Sequence, residues 1–332
     1  MSAAESAGGS AGADWQPTAT RERLVLRATL LGEIRAHFAA HGALEVETPH
    51  CVQATVTDPQ LHSLQVRSRA RQGVLYLHTS AEYAMKRLLA AGSGDIYQLC
   101  HVYRDGEQGP LHNHEFTLLE WYRVGWDLTR LMREVDTLLR RLLGARCGAA
   151  AEYVTYAEAL RRGAGIDALA DDDAALAARA LALGFDAALV RRCARDELLD
   201  LLMGARVGPA LGRSGPCFLT HYPASQAALA RLDPADPRVA LRFEAYLDGI
   251  ELANGFEELT DAGAQRARFE ADQRLRRERG LEPPALDERL LAALAHGLPP
   301  CSGVAVGFDR VLMLAAGARH IDEVLAFPAA RA

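Results

Sequence analysis

Apolar residues recur at three- and four-residue spacing from about Arg21 to Ala40, which predicts a long amphipathic helix. The next stretch, Gly42 to His50 (GALEVETPH), alternates with period two until Pro49 closes it, and predicts a strand. Leu99, Val102 and Tyr103 read as one strand, GEQGPLHN as a turn, and Phe116 to Tyr122 as the returning strand of a hairpin. From about 127 to 206 the spacing is helical, as in DLTRLMREVDTLLRRLL and DELLDLLMGARVG, so this region predicts a helical insertion whose role is packing. CSGVAVGFDRVLML, Cys301 to Leu314, predicts a strand that turns directly into a helix.

Length and charge narrow this pattern. The 332 residues suffice for one large domain, 21–332, and the small, polar first 20 residues read as a disordered tail. The net charge of -6 and the lack of basic runs with interleaved aromatics argue against a nucleic-acid-binding surface. Of the 37 cationic residues only Lys86 is a lysine, a bias that reads as genome composition. Six cysteines without CxxC spacing, no secretory leader pattern and no apolar run of spanning length predict reduced thiols in a cytoplasmic protein without membrane contact. No internal repeat is present.

Several residue types carry chemistry. A guanidinium such as Arg104 can fork onto a phosphate, and a ring such as Phe116 can stack on a base. The plainer reading is an ordinary hairpin with a surface arginine and a core phenylalanine. Gly303 and Gly307 let backbone approach a ligand closely, and Arg310 at the strand-helix junction can meet another phosphate, although a strand followed by an apolar helix is also plain core. Glu244, Glu251 and Glu258 fall at intervals of seven, and hard carboxylate oxygens suit Mg²⁺ bridged to phosphates; alternatively they form a solvated acidic face. Glu82 follows Thr79 and Ser80, so helix-start chemistry explains it without any ligand. His112 and His114 flank Asn113 but lack further partners at metal-site spacing.

Taken in order, GALEVETPH, VYRDGEQGPLHNHEFTLLEWYR and CSGVAVGFDRVLML resemble motifs 1, 2 and 3 of the class II aminoacyl-tRNA synthetases. The resemblance covers nearly the whole chain after the first 20 residues. It implies an α+β catalytic domain with a mainly antiparallel sheet flanked by helices, and a homodimer formed through motif 1. TSAEYAMKRLL and GIELANGFEELTDA resemble the lysine-specific branch. HYPASQAALA, the Cys301-Ser302 pair and Ala305 resemble most the free-standing ligases of that branch that modify elongation factor P.

Carried over residue by residue, the resemblance implies ATP at Arg104, Asn113, Phe116, Glu251, Leu252, Gly307 and Arg310, with Arg104 and Arg310 catalytic. It implies Mg²⁺ at Glu244 and Glu251, and a lysine-like substrate at Ser80, Glu82, Tyr122, Glu258 and Ala305. The implied activity is activation of (R)-β-lysine as an adenylate and its transfer to a lysine ε-amine of elongation factor P. Only about 20 residues precede the motif 1 helix, so no anticodon-reading domain and no tRNA acceptor are expected. The alternatives are a minimal lysyl-tRNA synthetase-like activating enzyme and a catalytically silent paralogue acting as a regulatory subunit. One departure stands out: motif 2 of the family reads Arg-Asn-Glu, whereas this chain reads Arg104-Asp105-Gly106-Glu107, leaving the ATP contact of Glu107 open.

Overall fold

The computed structural model describes residues 15–70 and 73–332. Residues 1–14, most of the predicted tail, lie outside the described residues. Its last part is tied down, because the Thr18 and Ala19 amides donate to the carbonyls of Ala326 and Leu325. Thr20 then caps α1 (Arg21–Ala40), its hydroxyl accepting from the Arg23 amide. Of that helix Leu30, Ile34, His37 and Phe38 are buried, the three- and four-residue spacing read from sequence.

After α1 come β1 (Leu44–Glu45), β2 (Cys51–Val52), β3 (Gln65–Arg67), β4 (Val74–Leu77) and α2 (Glu82–Ala90). The hairpin β5 (Ile96–Tyr103) and β6 (Glu115–Val124) leads into α3 (Leu128–Leu143). β7 (Glu152–Thr155), α4 (Tyr156–Ala164), α5 (Asp173–Ala182), α6 (Ala187–Val190) and α7 (Arg195–Leu202) follow. The chain ends with β8 (Cys217–Pro223), β9 (Val239–Leu247), β10 (Ile250–Glu257), α8 (Ala262–Glu278), α9 (Glu288–Gly297), β11 (Cys301–Gly307) and α10 (Phe308–Ala316).

Eight strands form one sheet in the order β1-β5-β6-β11-β10-β9-β8-β7, and β2-β4-β3 form a small second sheet. Inner pairings of the large sheet are antiparallel, and only the outermost pairs, β1 with β5 and β7 with β8, are parallel. The expected α+β fold with a mainly antiparallel sheet is therefore present, as a mixed sheet flanked by helices.

Period-two alternation decides what each face carries. On β6, Leu119 and Trp121 enter the main core with α1, α3 and α10, while Leu118 and Tyr122 point the other way into the core beneath α2, α8 and α9. On β9, Phe243, Ala245 and Leu247 join the main core, leaving Arg242, Glu244 and Tyr246 on the opposite face. That opposite face floors a cleft of about 1600 Å³.

The segment read as a helical insertion over 127–206 divides in two. Leu131, Val135, Leu138, Leu139 and Leu142 of α3 pack into the main core, so α3 belongs to the central layer. Helices α4 to α7 bury Leu160, Leu176, Leu198 and Leu202 with β7 and β8 in a second core. The four-residue strand β7 escaped the sequence reading because its period is too short to register.

Candidate active site in the sheet cleft

The β5–β6 hairpin places motif 2 at the cleft. The guanidinium of Arg104 lies 5.1 Å from the Phe116 ring centroid, covering one face of the ring assigned to a base. Its Nε donates to the Thr79 carbonyl at 3.4 Å, and Glu107 Oε1 is 3.4 Å from Nη1. Gly106 has φ +79°, a left-handed conformation that glycine adopts without strain, and it brings Glu107 back beside Arg104. The loop therefore turns the one-residue displacement into a contact on the same arginine.

Arg310 sits in the first turn of α10, immediately after β11. It donates to the carbonyls of Glu251 at 2.9 Å and Leu111 at 3.2 Å, and to His112 Nε2 at 2.8 Å. His112 is therefore neutral at Nε2, and burial together with the Arg310 charge pushes its pKa down. Glu251 Oε2 lies 3.6 Å from Arg310. A register shift between Glu251 and Ala253 re-aims the strand so that Glu251 faces the cleft while Leu252 packs in the core.

Glu244, on the adjoining strand, accepts from Arg242 at 2.6 Å and from Tyr246 at 2.7 Å. Burial and then the Glu244 charge push the Glu251 carboxyl upward. Two carboxylates that repel each other, lined up in a cleft beside arginines, fit a hard divalent cation such as Mg²⁺. Asn113 also lines this end, but its Nδ2 donates to the Glu115 carbonyl and its Oδ1 accepts from the Ala329 amide, so both ends of the amide are engaged within the protein.

Buried charge is concentrated at the other end of the cleft. Glu120 of β6 is 2 % exposed, and it accepts from the Ser80 hydroxyl at 2.7 Å, the Ala81 amide at 3.2 Å and the Tyr122 hydroxyl at 2.7 Å. Burial, reinforced by the Glu82 charge, pushes its carboxyl up to about 7 against those hydrogen bonds. Glu258, just beyond β10, is 2 % exposed; its Oε2 is ion-paired to Lys86, and its Oε1 has no hydrogen-bond partner among the described residues. Lys86 Nζ lies 2.6 Å from Glu258 and 2.7 Å from Glu82.

Burial would strip the Lys86 proton, but Glu258 and Glu82 outweigh it and hold the ammonium above its ordinary range. Glu258 is nevertheless pushed up to about 8, because burial and the charges of Glu82 and Glu120 exceed what one ammonium offsets. Gly303 makes this crowding possible: a Cβ there would lie 2.3 Å from Tyr122 Cε1 and 2.6 Å from Glu258 Oε1. Ala305 pairs directly with Glu120 across β6 and β11.

The family model for class II tRNA synthetases (D, K and N) matches residues 12–331. The chain belongs to this family. Within it, the chain is 49% identical over 324 residues to the elongation factor P--(R)-beta-lysine ligase of Hamiltonella defensa, covering 96% of this chain and 99% of that protein. It is 50% identical over 323 residues to the protein of that name from Vibrio cholerae and 51% identical over 324 residues to that from Klebsiella pneumoniae, each with 96% of this chain and 99% of the relative covered.

The class II site here thus gathers every residue assigned to it from sequence into one cleft or its wall, with Leu252 lining it from the core side. Ser80 has a part beyond its expected place at the substrate: besides holding Glu120, its Oγ accepts from the Glu82 amide at 3.0 Å, starting α2. Sequence reasoning missed Glu120 and Lys86. For Glu120 a signal existed, since FTLLEWY is apolar on both faces apart from Thr117 and that one carboxylate. For Lys86 the signal was that it is the only lysine of the chain, which reads as composition bias, and a lysine beside an arginine on an amphipathic helix reads as solvated.

Proposed function

We propose that the protein activates (R)-β-lysine as an adenylate with ATP and transfers it to the ε-amino group of a lysine of elongation factor P. The observation that carries this reading is the buried carboxylate group, Glu82, Glu120 and Glu258, which holds one internal ammonium and leaves Glu258 Oε1 without a partner among the described residues. An apolar or singly charged amino acid would leave such oxygens uncompensated. The names of the relatives support the acceptor and the β-amino substrate.

In the first step a carboxylate oxygen of the amino acid forms a bond to the α-phosphorus of ATP. The bond from that phosphorus to the bridging oxygen breaks, and pyrophosphate leaves. Arg104 and Arg310 neutralise charge that grows on phosphate oxygens, the contribution of fixed dipoles and cations that dominates such reactions. Phe116 stacks adenine, and the Glu251–Leu252 backbone and Gly307 line the nucleotide. Glu244 and Glu251 would hold Mg²⁺, which would supply further neutralisation of phosphate charge.

In the second step a neutral amine of the acceptor attacks the acyl carbonyl. A carbon-nitrogen bond forms, the acyl-phosphate bond breaks and AMP leaves, while the amine gives up a proton. The protein's own contribution to both steps is positioning two reactants in one cleft. Motif 1 on α1 and β1, with Val25 and Leu44 exposed, supports a homodimer, and the reading places the enzyme in the cytoplasm with its acceptor.

The test is ATP-pyrophosphate exchange with (R)-β-lysine and with α-lysine, followed by label transfer to elongation factor P or to bulk tRNA. Label on the factor, lowered roughly 100- to 1000-fold in Arg310→Ala, supports the ligase. Label on tRNA would move the assignment to a minimal synthetase. No exchange with either amino acid would leave a silent paralogue.

A further inference from the structure

Lys86 is the chain's only lysine, and it is 1 % exposed. Everywhere else the chain meets its need for a cation with arginine. Burying an ammonium is unfavourable unless it is paired and held in good geometry. A methionine or leucine at this point of α2 would pack as well at no such cost, so packing does not explain the residue. What Lys86 does is visible in its contacts: it joins Glu82, one helical turn earlier, to Glu258 on a different element. Among the described residues the Lys86 ammonium is the one polar contact on the Glu258 carboxylate, at Oε2, while Oε1 has none.

Charge counting gives the consequence. With Glu82, Glu120 and Glu258 all ionised beside protonated Lys86 the pocket would carry three negative charges and one positive, a surplus of two negative charges. Burial disfavours that surplus in the unliganded protein, where Glu120 and Glu258 are pushed toward their protonated forms. An amino acid with two ammonium groups cancels the surplus; one with a single ammonium leaves a carboxylate buried and unpaired.

We propose that Lys86 is a positioning residue of the amino-acid pocket: it ties Glu82 to Glu258 and sets the pocket's charge so that it complements an amino acid carrying two ammonium groups. This deepens the function proposed above and rests on it. Lys86 acts through the two carboxylates. The charged and titratable groups around it are Glu82 from α2, Glu258 from beyond β10, Glu120 and Tyr122 from β6, and Cys301 from β11.

Because the lysine is unique, ¹⁵N-lysine labelling yields a single side-chain resonance, which reads the ammonium directly. The resonance is expected to stay that of an ammonium as pH passes 10.5, and to move on adding (R)-β-lysine but not an analogue lacking the terminal amine. In exchange kinetics, Lys86→Met is expected to raise KM for the diamino acid at least tenfold while changing kcat less than about threefold, because Glu258 loses its anchor but the phosphate contacts stay. That tenfold step is about 1.4 kcal/mol. Lys86→Arg, which keeps the charge, should recover part of the loss.

An unmoved resonance together with an unchanged KM in Lys86→Met would overturn the inference while leaving the proposed activity standing. Should Lys86→Met not fold, a resonance that ignores the diamino acid still overturns it. Conversely, a wild-type protein that catalyses no exchange yet shows the diamine-specific shift would refute the proposed activity and keep the pocket's role. Neither exchange nor shift would overturn both.

Discussion

A methyl group on Gly303 would meet the Tyr122 ring and a Glu258 oxygen well inside contact distance, and neither neighbour is a loose surface tip. Gly303→Ala is therefore expected to raise KM for the amino acid at least tenfold while leaving ATP affinity within about threefold, since Arg104 and Arg310 lie at the far end of the cleft; calorimetric titration of each ligand checks this. Titration belongs to the same scale. Glu120 and Glu258 are pushed up to about 7 and about 8, so each favours the folded state while protonated. That stability is complete below the ordinary carboxylate value of 4.5, and it fades as pH rises through 7 and 8. The melting temperature of the unliganded protein should accordingly fall between about pH 5 and 8. Added diamino acid should flatten the fall by compensating the ionised carboxylates, and Glu120→Gln should remove part of it. A melting temperature indifferent to pH over that range would contradict the buried-carboxylate account. Glu120 was legible as an oddity in an apolar strand; the two-carboxylate grip on Lys86 was not, because it joins residues 172 positions apart that only the folded sheet brings together.

Hairpins and junctions explain why the motifs could be read at all. β5, β6 and β11 are largely apolar runs with glycine or proline at or near an end, so their extents follow from local sequence, and Arg104 directly follows β5 while Arg310 lies in the first turn of α10, after β11. What local pattern could not give is the bulge at Glu251 and the path of the motif 2 loop. There Gly106 occupies a left-handed conformation, and Glu107 takes the place beside Arg104. Restoring the family's glutamate with Gly106→Glu is thus expected to lower activity. A side chain in that conformation costs about 1–2 kcal/mol, and a second carboxylate would compete for the same guanidinium. The measurement is ATP KM in the exchange assay, predicted to rise several-fold; a fall would show that the loop adopts the family register instead. The helices of 127–206 were legible as helices but not as two bodies, because which core a helix joins depends on where the sheet lies.

At the scale of the whole molecule, a lysine-poor surface has a chemical consequence that composition bias alone does not convey. No helix among the described residues is long and apolar enough to cross a membrane, and every Lys or Arg of the chain other than Lys86 is an arginine. An enzyme that makes an acyl-adenylate whose natural acceptor is a lysine amine risks acylating itself whenever the adenylate escapes. Arginine does not deprotonate near neutral pH and so offers no amine nucleophile, and the one lysine is held as an ammonium between two carboxylates. Arg87, exposed on the cleft wall beside Lys86, provides the test, since Arg87→Lys keeps the charge and adds the nucleophile. Incubated with ATP and (R)-β-lysine without any acceptor protein, the variant is expected to gain one aminoacyl group mapping to position 87. The gain should grow as pH rises toward the lysine pKa, as the neutral amine becomes more abundant. Peptide mass spectrometry of the wild type under the same conditions should show Lys86 unmodified. Acylation of Lys86 itself would mean that the carboxylate grip opens during turnover, and an Arg87→Lys variant that stays clean would mean that the adenylate does not leave the cleft.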